Sequence, residues 1–333
     1  MKKRALLLPL LAFPLTSHGT ELAFSGFLTA AGGKTLEKDT TYRVEPTNQG
    51  AYDNEIRFDP ESVAGLQVQA VINDQLRGTL QLIAKGYDGF ESKLEWAYIT
   101  YQLTPELELN AGRYRLPLFY YSEFLDVGYA YHWIRPPVEV YSTFTSALEG
   151  FNLVHKHFWG DVEISSQIWY GAIDETLDDG TYYDTRNNAG INVTFGFEWF
   201  DVRLLYNTLD LTTTLPDVPG EFPADITFTA ISFLADINNI VWRSEYTHAD
   251  SELSITSWYA SAGYRIGPFL PHYTHAEESS DLTNGETSTD TIGVAWYFNP
   301  SAVAKLEYLT SQTEFTDQNT DVDVISVALD IIF

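Results

Sequence analysis

One stretch of the chain, 116–149, crowds together side chains that could sort charged solutes. It holds Tyr120, Tyr121, Glu123, Asp126, Tyr129, Tyr131, His132, Arg135, Glu139 and Tyr141. A connection this long is uncommon unless it has a function. Arg57 and Arg77 lie upstream, and Arg113 and Arg115 stand where the stretch begins. Suppose Glu123 and Asp126 face Arg57, Arg77, Arg113 and Arg115 across a narrow passage, with Arg135 nearby. Opposed charges in such a passage make a transverse field that orients polar solutes and screens them by charge. The simpler reading is that these ions only pin the stretch to its surroundings. The strand period adds a complication. Arg113 shares parity with Leu107, Leu109 and Ala111, and a bulge at Gly112 would be needed to re-aim it.

Other chemistries find less support. The chain has no cysteine, which excludes a disulfide scaffold, a thiol enzyme and Cys-based zinc sites. His155 and His157 share a strand face, but no third ligand is near in sequence, so no metal site and no cofactor is expected. His272 and His275 fall on opposite faces. A Ser/His/acid hydrolase could draw on His132, His155 or His248, yet no G-x-S-x-G occurs. The formal charge of −27 excludes non-specific nucleic-acid binding, which needs a basic face.

The elements that would position these residues read as strands. Lys2, Lys3 and Arg4, an apolar run from Leu6 to Leu15, and the small residues Ser17 and Gly19 together read as an export signal over 1–19. The run is too short to span a bilayer. No later segment is long and apolar enough for a transmembrane helix. A chain that crosses a membrane without helices must do so as a closed barrel. The segments alternate as such strands require. Leu66, Val68, Ala70 and Ile72 oppose Gln67 and Gln69, and Ile191, Val193, Phe195 and Phe197 oppose Asn192, Thr194 and Gly196. Arg203, Arg243, Glu245, Arg265, Lys305 and Glu307 stand on the polar faces. A Lys or Arg on the lipid face near the midplane would cost about 2–4 kcal/mol, so these are expected lumen charges. Faces are ambiguous at 22–31, 94–103, 150–158 and 269–276.

The connections alternate in length. Short turns such as 73–75, 104–106, 159–161 and 299–301 carry turn residues. Longer ones are expected at 33–60, 86–91, 116–149, 173–188, 211–224, 249–253, 277–289 and 314–320. The pattern predicts one all-β domain over 20–333, a transmembrane antiparallel β-barrel of about 16 strands. Aromatic content of 15% suits girdles at both membrane interfaces. The long third loop would fold inward as a constriction, because a barrel of this size leaves a wide lumen.

With its leader, strand pattern, long third loop and terminal Phe333, the chain resembles the Gram-negative porin family along nearly its whole length. The segment Ala111-Gly112-Arg113-Tyr114-Arg115-Leu116-Pro117-Leu118-Phe119 is similar to a Gly-x-x-(Lys/Arg)-x-Pro motif of the phosphate-selective porins, although Lys-rich loops are missing here. The resemblance implies a homotrimer in the bacterial outer membrane, in contact with lipid and lipopolysaccharide. It also implies passive diffusion of ions and small hydrophilic solutes, and a terminal Phe recognised by the barrel-assembly machinery. The alternatives are a porin specific for an anion such as phosphate or for oligosaccharides, and an outer-membrane barrel enzyme or adhesin.

Overall fold

A strand with one apolar and one polar face leaves its edges unpaired, and in lipid those edges can be satisfied only by closing the sheet. The computed structural model describes residues 21–44, 50–141, 147–177, 180–281, 285–315 and 318–333; the expected leader at 1–19 lies outside them. The described strands form a closed antiparallel barrel of 16. They are β1 (Glu21–Thr35), β2 (Val63–Asn73), β3 (Leu76–Lys85), β4 (Ser92–Thr104), β5 (Leu107–Arg115), β6 (Ala147–Trp159), β7 (Val162–Thr176) and β8 (Tyr182–Gly196). Then follow β9 (Phe200–Thr214), β10 (Phe222–Ile237), β11 (Ile240–Asp250), β12 (Ile255–Tyr264), β13 (Phe269–Ser280), β14 (Gly285–Asn299), β15 (Ala302–Phe315) and β16 (Gln318–Ile332). Each strand pairs with its sequence neighbours. β1 closes the seam with β16, from Phe27 opposite Ile332 to Thr35 opposite Val324.

The outward face is a lipid-facing belt. Leu80, Ile99, Ile168, Ile231, Ile292 and Leu306 are exposed on it. Trp159, Trp199, Phe269, Trp296 and Phe298 ring the short-turn end, and Tyr170, Tyr206, Tyr246, Tyr273 and Tyr308 ring the other. Among the described residues no helix is long and apolar enough to cross a membrane.

Several expected loops are strand instead. β7 runs to Thr176 and β8 resumes at Tyr182, so most of 173–188 is ladder. The same holds for 277–289 and 314–320, and half of 211–224 is strand. Crossing the hydrocarbon takes about 9–11 residues, whereas β7, β8 and β9 each have 15. The surplus stands in water on both faces, so its residues (Asp174, Glu175 and Thr176, or Thr212, Thr213 and Thr214) show no hydrophobic alternation. Two connections remain long, 36–62 and 116–146. The first carries a small ribbon, Tyr42–Arg43 against Ala51–Tyr52, and returns along β1.

The ambiguous faces resolve with local causes. In β4 the register slips between Leu94 and Trp96, leaving Glu95 unpaired. This bulge puts Leu94 on the same face as Ala97 and Ile99, although their parity differs. Nearby, Gly112, Gly150 and Gly171 pair in a row across β5, β6 and β7. A Cβ on Gly150 would lie 2.1 Å from the Tyr170 carbonyl, and one on Gly171 would lie 2.4 Å from that of Glu149. Gly112 has φ of 135°, which strains any residue with a side chain. This corner tolerates no side chain.

Gly150→Val should therefore destabilise the barrel by about 1–3 kcal/mol through overpacking. Gly78→Ala, whose added methyl would meet nothing within 4 Å, should be neutral. Urea titration of the barrel folded into lipid vesicles measures both; equal midpoints would remove the corner from the account.

Candidate functional site: the loop across the lumen

A segment inside a barrel carries its own backbone N–H and C=O groups, and each needs a partner. Charged wall residues supply them here. Arg203 on β9 donates Nη1 to the Leu118 carbonyl at 3.2 Å and Nη2 to that of Pro117. Glu245 on β11 accepts the Tyr120 amide at 3.1 Å and the Tyr141 hydroxyl at 2.7 Å, and its neighbour Ser232 also donates to it. Lys305 on β15 donates to the carbonyls of Gly128 at 2.6 Å and Trp133 at 2.5 Å and pairs with Asp330 at 2.9 Å. Glu307 accepts the Ile134 amide at 2.7 Å. Gly128 must be glycine, because a Cβ there would lie 2.2 Å from Asp330 Oδ1.

Between these anchors the loop packs apolar side chains on the same wall. Leu118, Phe119, Tyr121, Trp133 and Tyr141 meet Leu205, Ala230, Leu234, Tyr259 and Ala276. Small wall alanines leave room for large loop rings. Trp133 is 1% exposed, and its indole N–H donates to Thr274 at 2.8 Å. A short helix, α1 (Val138–Tyr141), ends the described part of the loop.

The expected constriction residues are not assembled as two facing rows. Arg57 lies in the first long connection, bonded to Asp59 at 2.6 Å, where its backbone pairs with Gly33. Arg77 stands near a short turn, paired with Glu108 at 2.6 Å. The register runs through Gly112 without a bulge, so Arg113 keeps the parity of Leu109 and Ala111; its guanidinium binds Glu149 at 3.1 Å. Arg115 does reach the loop. It holds Asp126, which Lys85 also meets at 3.2 Å, and it binds Glu95 at 2.6 Å. Burial raises the Asp126 carboxyl, but Arg115 and Lys85 outweigh that and hold it below the usual carboxylate range. Arg135 grips Glu61 through two guanidinium nitrogens and reaches Ser326 at 3.1 Å. Arg243 meets Asp236 at 2.9 Å and the Tyr121 hydroxyl at 3.1 Å. Arg265 sits near a short turn, 3.4 Å from Asp236.

Glu123 differs from the rest. It is exposed, and among the described residues it makes no ion pair. Gln167 on β7 donates to it at 2.9 Å and in turn accepts from Asn192 at 3.0 Å. Other polar faces of this half of the barrel also carry amides and hydroxyls. Gln81 donates to Gln67 at 3.2 Å, and Thr100 donates to Asn110 at 2.6 Å.

Sequence reasoning passed over Glu61, Ser326, Asp330 and Thr29, whose hydroxyl donates to Asp330 at 2.6 Å, as partners. Asp330 and Ser326 had a signal, since both fall on the polar parity of the last strand. Glu61 had none, because its role depends on how the first long connection returns.

No family profile and no curated protein matches the chain. Solved structures do. The outer membrane channel DcaP of Acinetobacter baumannii aligns with 10% identity over 95% of this chain and 98% of that one, at a TM-score of 0.65. This is the porin fold. An anion-selective porin from Comamonas acidovorans aligns over 94% and 100%, with 10% identity and a TM-score of 0.63. The in-vitro folded trimer form of OmpT, an outer membrane protein of Vibrio cholerae, aligns over 94% and 99%, with 12% identity and a TM-score of 0.59. In this porin-fold barrel the inward loop takes its backbone anchors from β9, β11 and β15, and Arg115 and Lys85 hold its Asp126 from β5 and β3.

A pair of histidines lies under the fastening. His132 of the loop meets Ser261 at 3.0 Å, and its ring centroid is 4.7 Å from that of His272. Burial, then His272, Arg243, Lys305 and Arg265, push His132 well below the ordinary histidine range. A lowered pKa means that the docked loop holds His132 neutral. Docking is therefore complete above about pH 6.5, the unfolded value, and weakens as pH falls below it. Hydrogen exchange at 131–135, corrected for intrinsic rates, should speed up from pH 7 to pH 5, and His132→Gln should flatten that response. A wild type that is indifferent to pH would refute it.

Proposed function

We propose that the chain is an outer-membrane porin that lets ions and small hydrophilic solutes diffuse down their gradients, without a catalytic step. The observation that carries this is the uneven fastening of the loop. Arg203, Glu245, Lys305 and Glu307 on β9 to β15 hold its backbone, Arg115 and Lys85 on β5 and β3 hold its Asp126, and its Glu123 side meets the Gln167 amide on β7. A water-filled passage on that side would be lined by Gln67, Gln69 and Gln167, which hydrogen-bond polar solutes without a strong charge preference, with Gln81 and Asn192 buried behind them. Glu123 adds a negative charge, so the passage favours cations over anions. Arg77, Arg113 and Arg115 each have a carboxylate partner, which weakens any opposing positive field. Charge selection here rests on Glu123 rather than on a balanced transverse field.

The outward face supports a homotrimer. On β1 to β5 the ring of tyrosines at the long-loop end is missing. Leu28, Leu66, Leu82, Leu94 and Ile99 are exposed on this face; Phe24 and Tyr101 stand near the short-turn end, and Phe58 lies over Gly32. Interfacial Tyr marks contact with lipid headgroups. A face without it suits contact with other copies, while the remaining wall meets lipid and lipopolysaccharide.

In planar bilayers, Glu123→Gln should lower the cation-to-anion permeability ratio roughly twofold or more, since a unit charge several ångströms from a partly screened ion is worth about 0.5–1 kcal/mol. An unchanged reversal potential in a salt gradient would take Glu123 out of the pathway, and a protein that opens no conductance would overturn the channel itself. Leu82→Asp should convert an unheated trimer band to folded monomer on a gel, whereas Ile231→Asp, on the opposite wall, should leave the trimer intact. Equal behaviour would dismiss the aliphatic face as the interface.

A further inference from the structure

Behind α1, on the side of the loop away from Glu123, lies a small pocket. It is lined by Glu139 and Arg135 of the loop, Thr274 of β13, Thr289 and Thr291 of β14, and Tyr42 of the first long connection. Glu139 is 5% exposed, and neither carboxylate oxygen has a hydrogen-bond donor. Its own amide and the Thr289 hydroxyl approach it without reaching bonding geometry. A buried carboxylate left in this state is costly unless something offsets it.

The surrounding charges do not offset it. Arg135, which also lines the pocket, pairs with Glu61 through Nε and Nη2 and leaves Nη1 without a partner among the described residues, and Lys305 pairs with Asp330. Glu278 and Glu307 add further negative charge nearby, with Glu307 facing the Ile134 amide. Negative charge exceeds positive around the pocket. A bound water would fill the space but would not correct the charge.

We infer that this pocket binds one small univalent cation, with the Glu139 carboxylate as its charged ligand and the hydroxyls of Thr289 and Thr291 completing an oxygen shell. The free space suits one water-sized occupant, which matches sodium, potassium or ammonium and excludes an organic solute. Carboxylate and hydroxyl oxygens are the donors hard cations prefer. The Glu139 carboxylate brings one negative charge, which suits a univalent ion better than a divalent one. The ion would fasten α1 to β13 and β14 and so clamp the far end of the loop. This inference stands independently of what the channel carries.

The test is hydrogen exchange of 133–141 in detergent micelles near pH 8, in sodium, potassium or choline chloride at one ionic strength. Exchange should slow roughly tenfold in sodium or potassium relative to choline, as expected with the cation at about ten times its dissociation constant. Glu139→Gln should exchange equally in all three salts. Thr289→Val, with the barrel still folded by its heat-modifiable gel shift, should raise the half-saturating cation concentration. Equal exchange of the wild type in sodium, potassium and choline would overturn the proposal. So would a cation response that survives Glu139→Gln, or slowing that comes only with acidification, which would mean that the carboxyl takes a proton instead.

Discussion

A polypeptide laid through the inside of a barrel must find a partner for every amide and carbonyl it brings, and the rest of this structure follows from that need. The described part of the loop, 116–141, meets some of this need through short helical turns, as where the Val127 amide donates to the Phe124 carbonyl and the Ala130 amide to that of Val127. Arg203, Glu245, Lys305 and Glu307 supply further partners, each aimed at loop backbone. A buried polar group without a partner costs about 1–3 kcal/mol. Removing one member of a buried ion pair costs about 3–5 kcal/mol. The wall charges are therefore part of the loop's fold as much as of the barrel's.

That arrangement divides the lumen. One half is dry, aromatic and ionic, and its charges are spent on holding the loop. The other carries amides and hydroxyls, the ion pairs of Arg77 with Glu108 and of Arg115 with Glu95 and Asp126, and Glu123, which makes no ion pair among the described residues. The charges best placed to act on a solute are thus fewer than a count of lumen ions suggests. The wall residues with the strongest electrostatics have structural work, and selection falls to the weaker groups left over.

Much of this was legible in the residues. Period-two alternation gave the strands, their faces and the inward place of Lys305, Glu307, Arg203 and Glu245, because lipid penalises every exception. The alternation failed where lipid no longer acts. Strand ends such as Thr212 to Thr214 stand in water on both sides, so they looked like loops. It also failed at Glu95, where an extra residue shifts the parity by one. The constriction was only half visible. The length and charge of 116–149 marked an inward loop, but pairing partners such as Glu61 with Arg135 depend on a return path that no local pattern encodes.

The seam between the first and last strands has a further consequence. Phe27 lies opposite Ile332, and Phe333 exchanges backbone hydrogen bonds with Gly26 while its ring covers that glycine. The edge of β1 therefore stays open until β16 is in place. Contacts so distant along the chain form slowly, since the intervening loop must be closed first. Until those two strands meet, the sheet keeps two bare edges, and closing them is the last step that seals the cylinder.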